Sequence, residues 1–213
     1  METTAVWSPG DAFYETHFAP QISWFTGAEL PDLSHAHPEQ RYWLKNFLLN
    51  QITHRVPRGV RELTFAQLRK SHAAFNAYAE LRSALGEYGT HPRSVNKYMA
   101  LLDRAEIWLT FTAQAFELSD ALHKLAKQGR EHTHASPQEL KRLRSFYVAS
   151  KHVPAMVAGA QFRFPDPTIF WFNAEGLKTR HRGLLLYGSF AHLLRQLAQE
   201  AESFASYIRA AQQ

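Results

Sequence analysis

The segment PRSVNKYMALLDRAEIWLTFTAQAFELSDALHKLAKQ, residues 92 to 128, is the longest periodic stretch of the chain and decides the fold. Its apolar residues recur three or four positions apart along two lines, which is the spacing of an α-helix. The first line is Val95, Tyr98, Leu102, Ala105, Leu109 and Phe116, and the second is Leu101, Trp108, Leu118, Leu122 and Leu125. A helix that is apolar over most of its circumference must be covered on two sides. We therefore predict a central helix with Trp108 and Phe116 in the core.

Two further helices are predicted before this central segment. The first spans about residues 38 to 56. Pro38 can open it, because a proline in the first turn of a helix loses no helical hydrogen bond. The second begins at a capping box formed by Thr64 and Gln67, in which each side chain bonds a backbone N–H at the helix start. It is expected to stop at Gly86 and Gly89, since glycine commonly ends a helix.

The last helix is predicted over about Leu184 to Ala210. Its apolar residues alternate four- and three-residue steps, the period of bundle and coiled-coil packing. They are Phe190, Leu194, Leu197, Ala201, Phe204 and Ile208. The opposite face is polar, so we expect this helix to lie in a seam of the bundle.

A basic helix is predicted over residues 136 to 152, SPQELKRLRSFYVASKH. Ser136 is suited to the N-cap, Pro137 to the first helical position, and Glu139 to closing a capping box. Downstream, the aromatic segments Gln161 to Phe164 and Thr168 to Asn173 flank Pro-Asp-Pro. This arrangement predicts a small antiparallel hairpin.

The predicted fold class is all-α, a bundle of about five helices with one small β-hairpin inserted before the last helix. The bundle occupies residues 37–213 as a single domain, in keeping with the length of 213 residues. Residues 1–36 show no helical period and form an irregular, aromatic N-terminal arm. Because large apolar groups tend to be buried, we expect the arm to pack on its own domain. The alternative is an arm that docks on a second protomer or a partner.

The composition excludes several classes of protein. Without cysteine the chain has no disulfide, thiolate zinc site or cysteine nucleophile. It has no secretory signal pattern and no apolar run long enough to span a membrane, so a cytoplasmic location is expected. No nucleotide-binding glycine loop, serine-hydrolase elbow or zinc-protease motif is present. The pairs His35/His37 and His132/His134 lack an obvious third ligand, so no metal or other cofactor is expected.

The basic helix carries a family resemblance. A helix ending in Lys151 and His152, followed by an aromatic hairpin and a long amphipathic helix, resembles the HEPN superfamily. The resemblance covers about residues 95–210 and rests on Tyr147, Lys151 and His152 together with the order of elements. It implies a helical bundle that is often dimeric. Some members are metal-independent ribonucleases that act as toxins or in defence against phage.

The resemblance assigns candidate catalytic roles to His152 and Arg144. An imidazole can act as general acid or base on a ribose hydroxyl, and a guanidinium can stabilise a charged phosphorane. In the family these two residue types stand four to six positions apart, whereas Arg144 precedes His152 by eight. On one helix that separates them by about 12 Å and about 80°, although two protomers could bring them together. Alternatively, His152 ends the helix as a cation near the negative end of its dipole.

Six basic residues are candidates for contacts with RNA phosphates: Lys141, Arg142, Lys151, Lys178, Arg180 and Arg182. A net charge of +5 is compatible with polyanion binding. Trp171 and Phe172 could add stacking groups, unless the hairpin is packed and the basic run after it is only solvated. The sequence thus predicts RNA binding or cleavage in a toxin or phage-defence setting, with an antitoxin or other protein partner and a homo-oligomer as expected assemblies. The alternative is a non-catalytic helical bundle that binds a protein partner.

Overall fold

The computed structural model describes residues 25–38, 43–53, 58–90, 94–125, 137–151, 170–179 and 183–207. Within them, a short 3-10 turn at Ser34–Ala36 precedes five helices: α1 (Trp43–Thr53), α2 (Arg58–Thr90), α3 (Val95–Leu125), α4 (Pro137–Lys151) and α5 (Tyr187–Tyr207). Three strands lie between α4 and α5: β1 (Phe170–Phe172), β2 (Gly176–Thr179) and β3 (Leu184–Leu186). The prediction of a mostly helical fold of about five helices, with a small β element before the last, is confirmed. None of the described helices combines the length and apolar character needed to cross a membrane.

Helix α3 occupies the centre of the bundle. It packs along α2 and also contacts α4, α5 and β1. Trp108 is fully buried and stacks on Phe190 of α5, with 4.2 Å between the ring centroids. Phe116 is also fully buried. The prediction of a central helix with these two side chains in the core is therefore confirmed.

Helix α2 is longer than predicted at its N-terminal end. It begins at Arg58, and the Thr64 hydroxyl donates to the backbone carbonyl of Val60 within the helix, at 2.8 Å. The predicted capping box at Thr64 is therefore wrong. A helix in a protein is stabilised mainly by packing of its apolar face, and α2 packs along α3, so it extends beyond a local start signal.

The two glycines predicted to stop α2 do not stop it, since the helix continues to Thr90. Gly89 instead allows the backbone of the N-terminal arm to approach, because a Cβ there would lie 2.3 Å from the carbonyl oxygen of Thr26. Gly27 in the arm has a φ of +100°, and its own Cβ would lie 2.6 Å from the carbonyl oxygen of Leu85. Glycine is needed at both positions for close contact between two backbones.

The described part of the N-terminal arm packs on the helices. Phe25 is buried, and its ring centroid lies 5.4 Å from that of Tyr88 and 5.7 Å from that of Phe172. Leu30 and Leu33 are also buried. The aromatic residues earlier in the arm lie outside the described residues.

The small β element is a three-stranded antiparallel sheet in the order β1-β2-β3. Phe172 pairs with Leu177, which pairs in turn with Leu185, and all three side chains are fully buried. These residues form the core face of the sheet. Within the described residues β1 pairs with β2, and the predicted pairing with residues 161–164 stays a prediction because those residues lie outside the described part of the chain.

The turn between β1 and β2 is stabilised by Asn173. Its side-chain oxygen accepts hydrogen bonds from the backbone N–H groups of Glu175 and Gly176, at 3.0 and 2.9 Å. This is the local bonding by which asparagine favours turns. The sequence interpretation placed the turn at Pro-Asp-Pro and overlooked this second signal.

Helix α5 begins three residues later than predicted, because Leu184–Leu186 forms β3. The predicted apolar stripe is otherwise confirmed as far as it is described. Its buried members are Phe190, Leu194, Leu197, Ala201 and Phe204, whereas Ile208 lies outside the described residues. Through this face α5 contacts α1, α2 and α3.

Candidate RNA-binding face on α4

Helix α4 has one apolar side and one polar side. The buried residues Leu140, Leu143, Phe146 and Tyr147 recur at three- and four-residue spacing, and the helix contacts α3, α5 and β3. Because these residues define the inner side, the opposite side of the helix faces solvent. The exposed residues are Pro137, Gln138, Lys141, Arg142, Ser145, Val148 and Lys151.

Three of the exposed residues, Lys141, Arg142 and Lys151, are spread over the solvent-facing half of α4 and together make up what we call the basic face. None of them makes an ion pair within the described part of the chain. The Lys151 ammonium lies 5.7 Å from the centroid of the Tyr147 ring, a cation–π distance. Glu139 is the one acidic residue of α4, and its side chain bonds to α5 instead. Within the described part of the chain, the three cations of the basic face therefore lack a paired carboxylate.

The two long helices, α2 and α3, differ from α4 because their exposed surfaces carry both acidic and basic residues. On α2, the exposed Glu62 and Glu80 lie among basic residues. On α3, Asp103, Glu106 and Glu117 are exposed in the same way. Mixed charges give a solvated surface with little net potential toward a polyanion. Among these three helices, α4 therefore presents the stronger electrostatic attraction to phosphate.

Arg144, one of the two candidate catalytic residues, is held by α3. Its Nη2 donates to the Oδ2 atom of Asp120, and the two side chains are 39% and 32% exposed. An ion pair at this exposure contributes about 0–1 kcal/mol. Arg144 thus connects two helices at the edge of the basic face. His152 follows the last described residue of α4 and lies outside the described residues, so its position relative to Arg144 stays a prediction.

Glu139 has a role that the sequence interpretation missed. Its partner in the predicted capping box, Ser136, lies outside the described residues. The Glu139 carboxylate accepts a hydrogen bond from the Ser189 hydroxyl of α5, and its Oε2 lies 3.9 Å from Nδ1 of His192. No local pattern could connect residues 50 positions apart. The contact nevertheless turns the carboxylate away from the basic face.

A second polar contact joins α3 to α5. His123 and Glu200 hydrogen-bond through Nε2 and Oε2 at 2.7 Å, and the Glu200 side chain is only 8% exposed. Gln196, one turn earlier on α5, is 7% exposed, and neither atom of its amide group makes a hydrogen bond within the described residues. No role was assigned to these polar groups from the sequence, because their contact joins residues 77 positions apart.

The remaining candidate RNA-binding residues lie in or after the sheet. Lys178 is half-buried on β2, opposite Trp171 of β1. Arg180 and Arg182 lie outside the described residues. Trp171 is 6% exposed and Phe172 is fully buried, so the expectation that these rings could stack on bases is wrong. Both faces of β1 are covered, which leaves neither ring accessible.

Metal-binding geometry is not found in the described part of the chain. No group of three or more His, Asp or Glu side chains there is placed to hold an ion. His37 shares a hydrogen bond of 2.8 Å between its Nε2 and the Oδ1 of Asn76. The pair His132 and His134 lies outside the described residues.

Comparison with known proteins finds no match. No family model matches the chain, and neither the curated proteins nor the solved structures contain a match.

Proposed function

We propose that the protein binds RNA through the basic face of α4. The observation that supports this most directly is that Lys141, Arg142 and Lys151 all face solvent without a partner carboxylate in the described residues. Cations in this arrangement gain free energy at a phosphate backbone because they release condensed counterions. Exposed lysine and arginine with no acid between them form the electrostatic footprint of a nucleic-acid-binding surface.

The resemblance to the HEPN superfamily supports the same proposal. It rests on Tyr147, Lys151 and His152, which belong to the end of α4 and the position after it. By analogy, the protein acts on RNA in the cytoplasm as a homodimer, in a toxin or phage-defence setting where an antitoxin is a natural partner. The order of elements, a basic helix followed by a small sheet and a long amphipathic helix, agrees with this analogy.

The salt dependence of binding tests the proposal. A labelled single-stranded RNA is titrated with the protein at several salt concentrations, and fluorescence anisotropy gives the binding constant. Three phosphate contacts predict a slope of about −2 for log K against log salt, from roughly 0.7 per contact. Between 50 and 200 mM salt, affinity should therefore fall roughly 20-fold.

A matched pair of triple variants distinguishes RNA binding through the basic face from an effect of net charge alone. The first variant replaces Lys141, Arg142 and Lys151 with alanine and should abolish most of the slope of log K against log salt. The control replaces three exposed basic residues on α3 and α5, namely Lys97, Lys124 and Arg195, and should retain it. Equal loss in the two variants means that only net charge matters, which refutes the role of the face. Negligible RNA affinity in the wild type supports a bundle that only binds a protein partner.

RNA cleavage by the protein needs a test separate from that of RNA binding. His152→Ala should abolish RNA cleavage while leaving RNA binding intact, because the imidazole is the proton-transfer group. Asp120→Asn releases the Arg144 guanidinium from its ion pair and should raise the cleavage rate if that guanidinium stabilises the phosphorane. Equal cleavage by wild type and His152→Ala refutes the catalytic assignment. Binding without cleavage in either protein leaves RNA binding as the function.

A further inference from the structure

Helices α1 and α2 enclose a groove of about 550 Å³. Its described lining residues are Pro38, Trp43, Leu44, Lys45, Leu68, Arg69, His72, Ala73 and Asn76. The groove continues into an exposed apolar surface made of Leu44, Leu48 and Phe65, whose side chains are between 38% and 51% exposed. Contiguous exposed apolar surface is typical of a site where another segment or molecule binds.

The groove also has a defined charge. Lys45, Arg69 and His72 line it, and no carboxylate is among its described lining residues. Lys45 and His72 each have a further interaction of their own, so Arg69 supplies the charge that an occupant meets. The guanidinium carbon of Arg69 lies 5.9 Å from the centroid of the Phe65 ring, so positive charge sits directly beside the apolar surface. An occupant that matches this groove carries large apolar side chains and acidic residues.

The N-terminal segment, residues 1–24, has this chemistry. Its aromatic residues are Trp7, Phe13, Tyr14, Phe18 and Trp24, and its charged residues are Glu2, Asp11 and Glu15. It contains none of the 24 lysine and arginine residues of the chain, so it carries three negative charges while the rest of the chain is basic.

The segment is also long enough to reach the groove of its own chain. Phe25, where the described chain begins, packs on Tyr88 of α2, and the groove lies along the same helix at His72. Sixteen helical residues separate those two positions, which is roughly 24 Å. About seven extended residues cover that distance, which leaves roughly 17 of the N-terminal residues, including Trp7 and Phe13, to occupy the groove. Tethering also gives the segment an effective concentration in the millimolar range.

We infer that the N-terminal segment docks into the α1–α2 groove of its own chain, with its aromatic rings on the exposed side chains of Leu44, Leu48 and Phe65 and its carboxylates beside Arg69. This docking is independent of RNA binding by α4. It covers an apolar surface that otherwise invites self-association.

Engineered cysteine pairs test the docking, and the cysteine-free chain makes each disulfide unambiguous. One cysteine replaces Ser8, Ala12 or Thr16 in the segment, and the second replaces Ala73 in the groove. The control places the second cysteine at Ala79, an exposed residue of α2 outside the groove. A disulfide requires Cα atoms about 4.4–6.8 Å apart, so its rate of formation reports contact.

At least one groove pair should form an intramolecular disulfide about tenfold faster than its Ala79 control, as expected from a raised local concentration. Non-reducing electrophoresis and mass spectrometry of the linked peptides give the rates. Equal rates at the two positions overturn the proposal. Faster formation of disulfide-linked dimers at Ala73 also overturns it, because the occupant is then the segment of a second copy.

Charge reversal provides a second measurement in the same assay. Arg69→Glu should slow disulfide formation at the groove, and Asp11→Arg with Glu15→Arg in that background should restore it. Arg69 is exposed, so the helical content measured by circular dichroism should not change. A rate that is insensitive to Arg69→Glu contradicts the charge match on which the docking depends.

Discussion

The Tyr98 hydroxyl provides the sharpest stability prediction, because it satisfies two backbone groups at the edge of the sheet. It donates to the carbonyl oxygen of Phe172 at 3.3 Å and accepts from the Phe172 N–H at 2.8 Å. The N–H of Asn173 bonds the carbonyl of Gly176, so the adjacent Phe172–Leu177 pair is of the non-hydrogen-bonded kind. The backbone groups of Phe172 therefore point away from β2, toward α3. Tyr98→Phe removes their partner without changing the shape of the ring.

The expected loss in the free energy of unfolding follows from the burial of the groups involved. Tyr98 and Phe172 are both fully buried, so water cannot replace the missing hydroxyl. Leaving a buried polar group without a hydrogen bond costs about 1–3 kcal/mol, and two such groups cost about 2–6 kcal/mol. For a chain of this length, a loss of about 3 kcal/mol lowers Tm by roughly 6–12 °C.

Urea unfolding followed by circular dichroism measures the change in the free energy of unfolding. The matched control is Tyr147→Phe, whose hydroxyl has only a long contact of 3.5 Å from Gln114 Nε2. The control should cost less than about 1 kcal/mol, the net value of an ordinary hydrogen bond. If Tyr98→Phe is no more destabilising than the control, the hydroxyl does not satisfy buried backbone groups and the reasoning is refuted.

Three further changes test other contacts. Gly176→Ala should destabilise the protein by about 3 kcal/mol in urea unfolding, because the new Cβ lies 2.1 Å from the carbonyl oxygen of Leu185. Gln196→Leu should stabilise it by about 1–3 kcal/mol, since a buried amide without hydrogen bonds is replaced by an apolar group. Burial raises the pKa of Tyr78 from 10 to about 12, so its contribution to stability is fully present below pH 10 and is lost as pH rises toward 12. Tyr78→Phe should therefore flatten the alkaline loss of stability measured by urea unfolding across that pH range.

The glycine and glutamine changes each have a matched control. Gly188→Ala on α5 meets no atom within 4 Å and should be tolerated. Gln199→Leu replaces an exposed glutamine and should leave stability within about 0.5 kcal/mol of the wild type. Similar losses for both glycine variants, or equal effects of both glutamine variants, contradict the packing described for β2 and α5. An alkaline profile unchanged by Tyr78→Phe contradicts the raised pKa of that phenol.

The regular elements were predictable where one face of a helix carries a sustained apolar period. The stripes of α3 and α5 identified those helices and their core residues, including Trp108 and Phe190, because helical periodicity depends on residues only one turn apart. Element boundaries were less predictable. The Thr64 capping pattern and Gly89 are local signals, and both were overridden by contacts with residues distant in sequence. Packing against α3 extends α2, and Gly89 serves contact with the N-terminal arm.

The candidate RNA-binding face also combines features that could be predicted from the sequence with features that could not. The basic composition of residues 136–152 and the inward placement of Leu143 and Tyr147 follow from the sequence alone, because charge and periodicity are local properties. The ion pair that holds Arg144 on α3 could not be predicted, since Asp120 lies 24 positions away and only helix packing brings them together. The sequence therefore determined which helices form and which sides they bury. Only the tertiary structure decided which charges remain exposed, because that depends on which side chains meet across helix interfaces, and it leaves Lys141 and Arg142 facing solvent on α4.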